Sequence, residues 1–233
     1  MTEGPGTAVV TGAAKGIGAA TAKALARAGY HVEASDIDSD GLDETRAAIE
    51  SEGGSIRTLR LDVLSSAAVA AYAGVIDRGV DLLVSNAGFA SVAYLDDLDD
   101  AHWQAVTDLN LTSHMRLARA FAPALKAAGR GRIICLGSIA GHTYGWPGRL
   151  AYSASKAGVT GLVRTLAMEL GPHGVTVNGV APAGLHAAVD QIPVGRVGTP
   201  EDIADFIVIL ASDGARFMTG QMLSVDGGMS VAL

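Results

Sequence analysis

Cysteine is nearly absent. Cys135 is the one example in 233 residues, which excludes an internal disulfide framework and predicts a reducing, cytoplasmic setting. Long apolar runs are missing as well: Phe206 to Ala211 is the longest obvious candidate, far short of the ~20 residues that a membrane-spanning helix needs. The opening Met1-Thr2-Glu3-Gly4-Pro5-Gly6 lacks the basic and apolar regions of a signal peptide. Positive charge is in deficit, with 17 Lys and Arg against 24 Asp and Glu and a net charge of −7. That balance argues against nucleic acid or an anionic membrane as a partner. Aromatics make up only 5% of the chain beside 30 glycines, a composition suited to tight turns and close backbone approach. No linker, repeat or low-complexity tract divides the sequence, so residues 1–233 read as a single domain.

Hydrophobic residues make up 49% of the chain, enough for a substantial core. They fall in short β-rich runs: Thr7–Val10, His31–Ser35, Ile56–Leu61, Leu82–Ser85, Arg132–Gly137, Val175–Val180 and Met222–Val225. Most of these runs are apolar or nearly so, as expected of parallel strands covered on both faces. Between them lie helix-like segments, including Gly16–Ala28, Leu42–Glu52, Asp100–Lys126, Tyr152–Leu170 and Glu201–Ala211. Gly171-Pro172 is expected to stop a helix with glycine in the left-handed cap, and Thr199-Pro200-Glu201-Asp202 to start one. The alternation predicts βαβ units in an α/β fold, with a doubly wound, mostly parallel seven-stranded sheet flanked by helices.

The first run leads directly into Thr11-Gly12-Ala13-Ala14-Lys15-Gly16-Ile17-Gly18. Glycines there let the backbone turn sharply and approach a pyrophosphate, whose charge the free N–H groups of the following helix stabilise. An acid, Asp36, ends the second run. Its carboxylate can accept from both hydroxyls of an adenosine ribose and would repel a 2′-phosphate, which favours NAD over NADP. Lys15 pulls the other way, but beside Asp36 its charge is expected to be partly neutralised.

Tyr152 and Lys156 are four residues apart, a spacing that places them on one face of a helix. A cation beside a phenol favours the phenolate, so this pair is expected to lower the tyrosine pKa and make it a proton-transfer group. A solvated helix start is the plain alternative. Ser138 follows the apolar run Ile133-Ile134-Cys135-Leu136, where a hydroxyl can donate to a substrate oxygen without ionising. Asn110 interrupts a helical stretch, although asparagine is a mediocre helix former. Asp62 stands after the third run, where it could equally cap a helix beginning near Ser65.

Taken together and in this order, Thr11 to Gly18, Asp62, Ser85-Asn86-Ala87-Gly88, Asn110, Ser138 and Tyr152 to Lys156 resemble the short-chain dehydrogenase/reductase family over essentially the whole chain. The resemblance implies a Rossmann-type fold, hydride transfer between a nicotinamide and an alcohol or carbonyl carbon, and assembly as a homodimer or homotetramer. It makes Asn110, Ser138, Tyr152 and Lys156 the catalytic set, with Asn110 holding a water near Lys156. Cofactor contacts are implied for Gly12, Ala14, Lys15, Gly16, Ile17, Gly18, Asp36, Ile37, Asp62, Val63, Asn86, Ala87, Gly88, Tyr152, Lys156, Pro182 and Leu185. Asp62 would meet the adenine amino group, with Val63 beside the ring.

Three departures stand out against the family pattern. Ser85 replaces a usual asparagine, Ala183 a usual glycine, and Ala187 the threonine that contacts the nicotinamide carboxamide. The interval from Pro182 to Arg196 is short where relatives carry a helical lid, and Ser65 to Gly79 is about a turn short. Gly141 to Trp146 and Phe89 to Tyr94 are expected to form the substrate pocket, with Tyr144 and Trp146 offering apolar surface and polar tips. The expected function is an NAD-preferring oxidoreductase for a secondary alcohol or ketone, a small-molecule enzyme with no metal. A 3-oxoacyl-carrier-type reductase is the variant, and a cofactor-binding protein with little activity the alternative class.

Overall fold

The computed structural model describes residues 6–183, 185 and 188–232. Seven strands form one sheet: β1 (Thr7–Thr11), β2 (His31–Asp36), β3 (Ser55–Arg60), β4 (Leu82–Ser85), β5 (Arg132–Leu136), β6 (Thr176–Pro182) and β7 (Met222–Val225). Their spatial order is β3-β2-β1-β4-β5-β6-β7. Every neighbouring pair is parallel. The chain winds outward from β1 to β3, then returns to the centre as β4 and winds the other way. That reversal leaves a crevice at the carboxyl ends of β1 and β4, where folds of this kind bind ligands.

The helices are α1 (Gly16–Arg27), α2 (Ser39–Ser51), α3 (Ser66–Gly74), α4 (Asp100–Thr107), α5 (Ser113–Ala128), α6 (Leu150–Leu170), α7 (Pro200–Ala211) and α8 (Met229–Ala232). Side chains alternate across the sheet and feed two cores. Ala8, Val10, Leu82, Val84, Ile134 and Leu136 pack on the face covered by α1, α2 and α7. Val9, Leu83, Ile133 and Cys135 pack on the face covered by α3, α5 and α6. A central strand with both faces dry must be apolar at every position, which is why these runs lack alternation. Each fully buried Val or Leu contributes about 1.5–3 kcal/mol.

Two expectations from the sequence change, and one alternative is set aside. The helix expected over Asp100–Lys126 is two helices joined by a π-helical turn, Asp108–Thr112. Gly171 is not the left-handed cap, because its φ is −52°, and a short 3-10 turn over Gly171–His173 delays that conformation to Gly174 at φ 75°. Pro172 fits at the first turn of that element because its missing N–H is not needed there. The alternative role of Asp62 as the cap of α3 falls to the Ser65 hydroxyl, which accepts from Ala68 N at 3.1 Å, while Asp62 lines the crevice with its Oδ1 accepting from Leu64 N at 2.9 Å.

Helix α7 starts as expected, with a reciprocal capping box between Thr199 and Asp202 and Pro200 in the first turn. Arg196 grips the same Asp202 at 2.6 Å. After β7, Val194 N–H donates to Gly227 O at 3.1 Å, so the final turn of the fold holds the far end of the short segment that follows Pro182. Gly184, His186 and Ala187 lie outside the described residues, so the expected departure at Ala187 has no structural account.

Candidate active site

A cleft of about 800 Å³ opens at the carboxyl edge of the sheet. Its floor is the turn between β1 and α1. Gly18 allows the closest approach in that turn: a Cβ there would overlap Gly12 O and lie 2.6 Å from Asn86 Nδ2. Asn86 is a strut, donating from Nδ2 to Thr11 O at 2.9 Å and to Gly12 O at 3.1 Å. Thr11 Oγ1 accepts in return from the N–H groups of Asn86 and Ala87, at 3.1 and 3.2 Å. The end of β4 is thereby strapped to the turn after β1. No side chain caps α1, so its first-turn N–H groups remain available to an anion.

One end of the cleft carries three carboxylates, Asp36, Asp38 and Asp62. Asp36 Oδ2 accepts from Ala14 N and Oδ1 from Asp38 N, each at 3.1 Å. These bonds fix the carboxylate at the tip of β2 while leaving lone pairs free. Asp38 lines the same end although the sequence reading did not assign it, as do Leu61 and Leu64 beside the assigned Asp62 and Val63. Lys15, Ile17 and Ile37 also line this half. Ala14 and Gly16 do not. The Ala14 N–H is spent on Asp36, and Gly16 contributes a left-handed backbone, φ 57°, at the helix start. A glycine cradle, an uncapped helix end and these carboxylates together fit a dinucleotide.

The other end gathers Asn110, Ser138, Tyr152 and Lys156. Asn110 is fully buried in the π-helical turn, and that wider turn aims its amide back at Phe89. Its Nδ2 donates to Phe89 O at 3.0 Å and Val106 O at 3.1 Å, and its Oδ1 accepts from Phe89 N at 3.2 Å. Gly88 sits between Asn110 and the lysine, where a Cβ would lie 2.6 Å from Asn110 Oδ1 and 3.6 Å from Lys156 Nζ. Ser138 Oγ accepts from Ala140 N at 3.1 Å, which leaves its O–H free to donate into the cleft. Pro182, Leu185, Ala87 and Gly88 complete this half from the list of expected contacts.

The electrostatics differ from the expected pattern. Lys156 is 4% exposed and its Nζ donates to Leu136 O at 2.7 Å. Burial pulls its pKa down to about 8. Its Nζ lies 5.9 Å from the centre of the Tyr152 ring. Burial pushes the Tyr152 phenol above the ordinary tyrosine value, opposed by the Ser138 hydroxyl and the Arg149 charge. Desolvation of the phenol is thus the largest influence on Tyr152, while the Lys156 ammonium is bonded to a backbone carbonyl.

Phe89, Ala90, Leu109, Leu136 and Gly137 also face the cleft. Phe89 and Ala90 belong to the stretch expected in the substrate pocket, and the signal for the other three in the sequence is only proximity to the motifs. Tyr144 and Trp146, expected in the substrate pocket, are not among the lining residues. Their rings pack edge to face on each other at 4.5 Å. Cys135 is no nucleophile, because burial pushes its thiol up to about 12.

His114, four residues beyond Asn110, is fully buried and neither ring nitrogen has a hydrogen-bond partner. Burial pulls its pKa down to about 3, with the Lys156 charge adding to the effect. An unfolded chain binds a proton near pH 6.5 that the folded one refuses until about 3, so stability is lost as pH falls through this window. His114→Leu is expected to remove that acid sensitivity. Its urea midpoint relative to the parent should rise steadily from pH 7 to pH 5, and an unchanged gap would overturn the assignment.

Residues 12–230 match a family model described as enoyl-(acyl carrier protein) reductase. Trans-4-hydroxycyclohexanecarboxylate dehydrogenase of Sinomonas cyclohexanicum is 39% identical, covering 95% of this chain and 91% of that protein. A 3-oxoacyl-(acyl-carrier-protein) reductase of Thermotoga maritima is 34% identical, covering 96% of this chain and 97% of that protein. A putative NAD(P)-dependent gluconate 5-dehydrogenase from Beutenbergia cavernae, solved with bound NADP at low occupancy, superposes with a TM-score of 0.91 at 38% identity, covering 97% of this chain and 96% of that one.

Proposed function

The chain belongs to the short-chain dehydrogenase/reductase family and is an oxidoreductase of CH–OH groups that uses a nicotinamide cofactor, and on that premise we propose an NAD-preferring enzyme that interconverts a secondary alcohol and a ketone with Tyr152 as general acid and base. The observation that carries this reading is the convergence of Asn110, Ser138, Tyr152 and Lys156 on one end of a cleft whose other end fits an adenosine. When bound, the nicotinamide gives or takes the hydride.

In reduction, the Tyr152 phenol donates its proton to the carbonyl oxygen while the Ser138 hydroxyl donates a hydrogen bond to the same atom. In oxidation, Tyr152 removes the hydroxyl proton. Gly12, Ile17 and Gly18 would hold the pyrophosphate, Asp36 the adenosine ribose, Asp62 and Val63 the adenine. Lys156 and Asn110 would hold the nicotinamide ribose and a water for the proton path. The uninterrupted seven-stranded sheet supports a single domain serving both cofactor and substrate. A cytoplasmic homodimer or homotetramer is part of the reading, supported by the buried free thiol of Cys135 and the exposed apolar Met168, Ile209 and Phe217.

The NAD preference rests on Asp36 and Asp38, which would face a 2′-phosphate with two negative charges. Asp36→Asn keeps the shape and removes one charge. The ratio of kcat/KM for NADH over NADPH is expected to fall at least about tenfold, worth ~1.4 kcal/mol. A parent enzyme that works better with NADPH would reverse the assignment. A 3-oxoacyl-carrier reductase is the second reading, favoured by the Thermotoga maritima relative, and a panel of simple ketones against 3-oxoacyl thioesters separates the two.

A further inference from the structure

Arg149 is the charged group that the proposed chemistry leaves unused. It immediately precedes α6, three positions ahead of Tyr152, and its charge reaches the Tyr152 phenol. The backbone beside it is tied down, because Ala93 N–H donates to Gly148 O at 2.9 Å. The segment from Phe89 to Ala93 therefore runs alongside Arg149, and its first two residues, Phe89 and Ala90, line the cleft.

The guanidinium is half-buried and donates through Nη1 to Ser91 O at 3.2 Å. A guanidinium has five N–H donors in a rigid fork. None of the ion pairs found among the described residues involves Arg149. A half-buried cation with unspent donors, next to the proton-transfer group, is arranged to receive an anion. The nearby carboxylates do not supply one: Asp96, Asp97, Asp99 and Asp100 are exposed, and Asp99 is occupied in capping α4 through His102 N at 2.7 Å.

Resting on the alcohol–ketone reading, we propose that Arg149 binds a carboxylate of the substrate, so that the enzyme acts on a hydroxy acid or the matching oxo acid. The substrate is then held at two points. Its carboxylate lies on the Arg149 fork and its reacting oxygen lies between Ser138 and Tyr152, which fixes the face of the carbon presented for hydride transfer. The acidic stretch from Asp96 to Asp100 repels anions at long range, although salt screens that repulsion over ~8 Å. Retention of a carboxylate here consequently depends on the one guanidinium. A neutral acyl thioester gains nothing from it.

Two matched pairs of probes test this. Cyclohexanecarboxylate and cyclohexanecarboxamide, titrated into the enzyme–NAD complex, read the subsite without turnover. The corresponding 4-oxo compounds, reduced with NADH, read it with turnover. The parent enzyme should favour the carboxylate in both. Arg149→Gln should lower kcat/KM for the oxo acid about 10- to 100-fold, mainly through KM, and leave the oxo amide within about twofold. Arg149→Lys should recover part of the loss. Any shift in the Tyr152 pH profile acts on both ketones and cancels in their ratio. Equal losses on acid and amide, or carboxylate binding unchanged in Arg149→Gln, would overturn the proposal. Failure to reduce any ketone would overturn the alcohol–ketone reading instead, and the titration would still decide the subsite.

Discussion

Tyr152→Phe is expected to lower turnover by about 10²- to 10⁴-fold, the usual worth of a positioned proton-transfer group. The change removes one hydroxyl and keeps the ring, so the packing of α6 and the bond from Lys156 Nζ to Leu136 O should survive. NADH affinity should stay within about twofold. The pH dependence carries a sign as well. Burial raises the Tyr152 pKa above the ordinary value, so at neutral pH the group is a phenol, ready to act as the acid in ketone reduction. Oxidation needs the phenolate and should accelerate as pH rises, while reduction stays flat until the raised pKa is approached. Steady-state rates in both directions from pH 6 to pH 10, with NADH binding followed by fluorescence, provide the check. Near-normal turnover in the phenylalanine variant would sink Tyr152 as the proton carrier.

Gly18→Ala should cost cofactor binding without touching the catalytic residues. Its Cβ would collide with a backbone oxygen, Gly12 O, which cannot rotate away, and crowd Asn86 Nδ2, whose rotation would break its bonds to Thr11 O and Gly12 O. The turn must open or α1 must shift from the end of β4. Overpacking of this kind costs about 1–3 kcal/mol, and strain relieved by opening the turn should weaken NADH binding about 10- to 100-fold. Gly16→Ala is the contrast, since its Cβ would meet nothing within 4 Å and the penalty comes only from the left-handed φ of 57°. Thermal unfolding and NADH titration of both variants separate the two effects. Equal affinity in Gly18→Ala and the parent would remove the close approach from the explanation.

Much of the site was legible in the sequence because its parts are local. The glycine turn, the acid ending β2, the serine after β5 and the tyrosine–lysine spacing all follow from residues a few positions apart. The adenosine-end assignments were incomplete where the contact crosses the sheet. Asp38 carried no assignment from the sequence, and in the structure it both lines the cleft and caps α2, accepting from Gly41 N at 3.2 Å. Ala14 was assigned to the cofactor although its N–H serves Asp36. The aromatic pair Tyr144 and Trp146 drew attention by composition, but each ring found the other as its partner.

The sequence by itself determined the parallel sheet and the crevice at its switch point, and its resemblance to the short-chain dehydrogenase/reductase family singled out Asn110, Ser138, Tyr152 and Lys156. The sheet and the crevice depend on hydrophobic runs, turn chemistry and helical spacing, all short-range properties of the chain. Tertiary structure alone decided the protonation and orientation of those residues. The π-helical turn that aims Asn110, the carbonyl that occupies Lys156 and the burial that raises Tyr152 come from elements distant in sequence. So does the isolated bridge between Ala93 and Arg149 that runs the Phe89–Ala93 segment alongside the guanidinium. Solvation and long-range contact set a charge's energy, and neither is encoded in spacing.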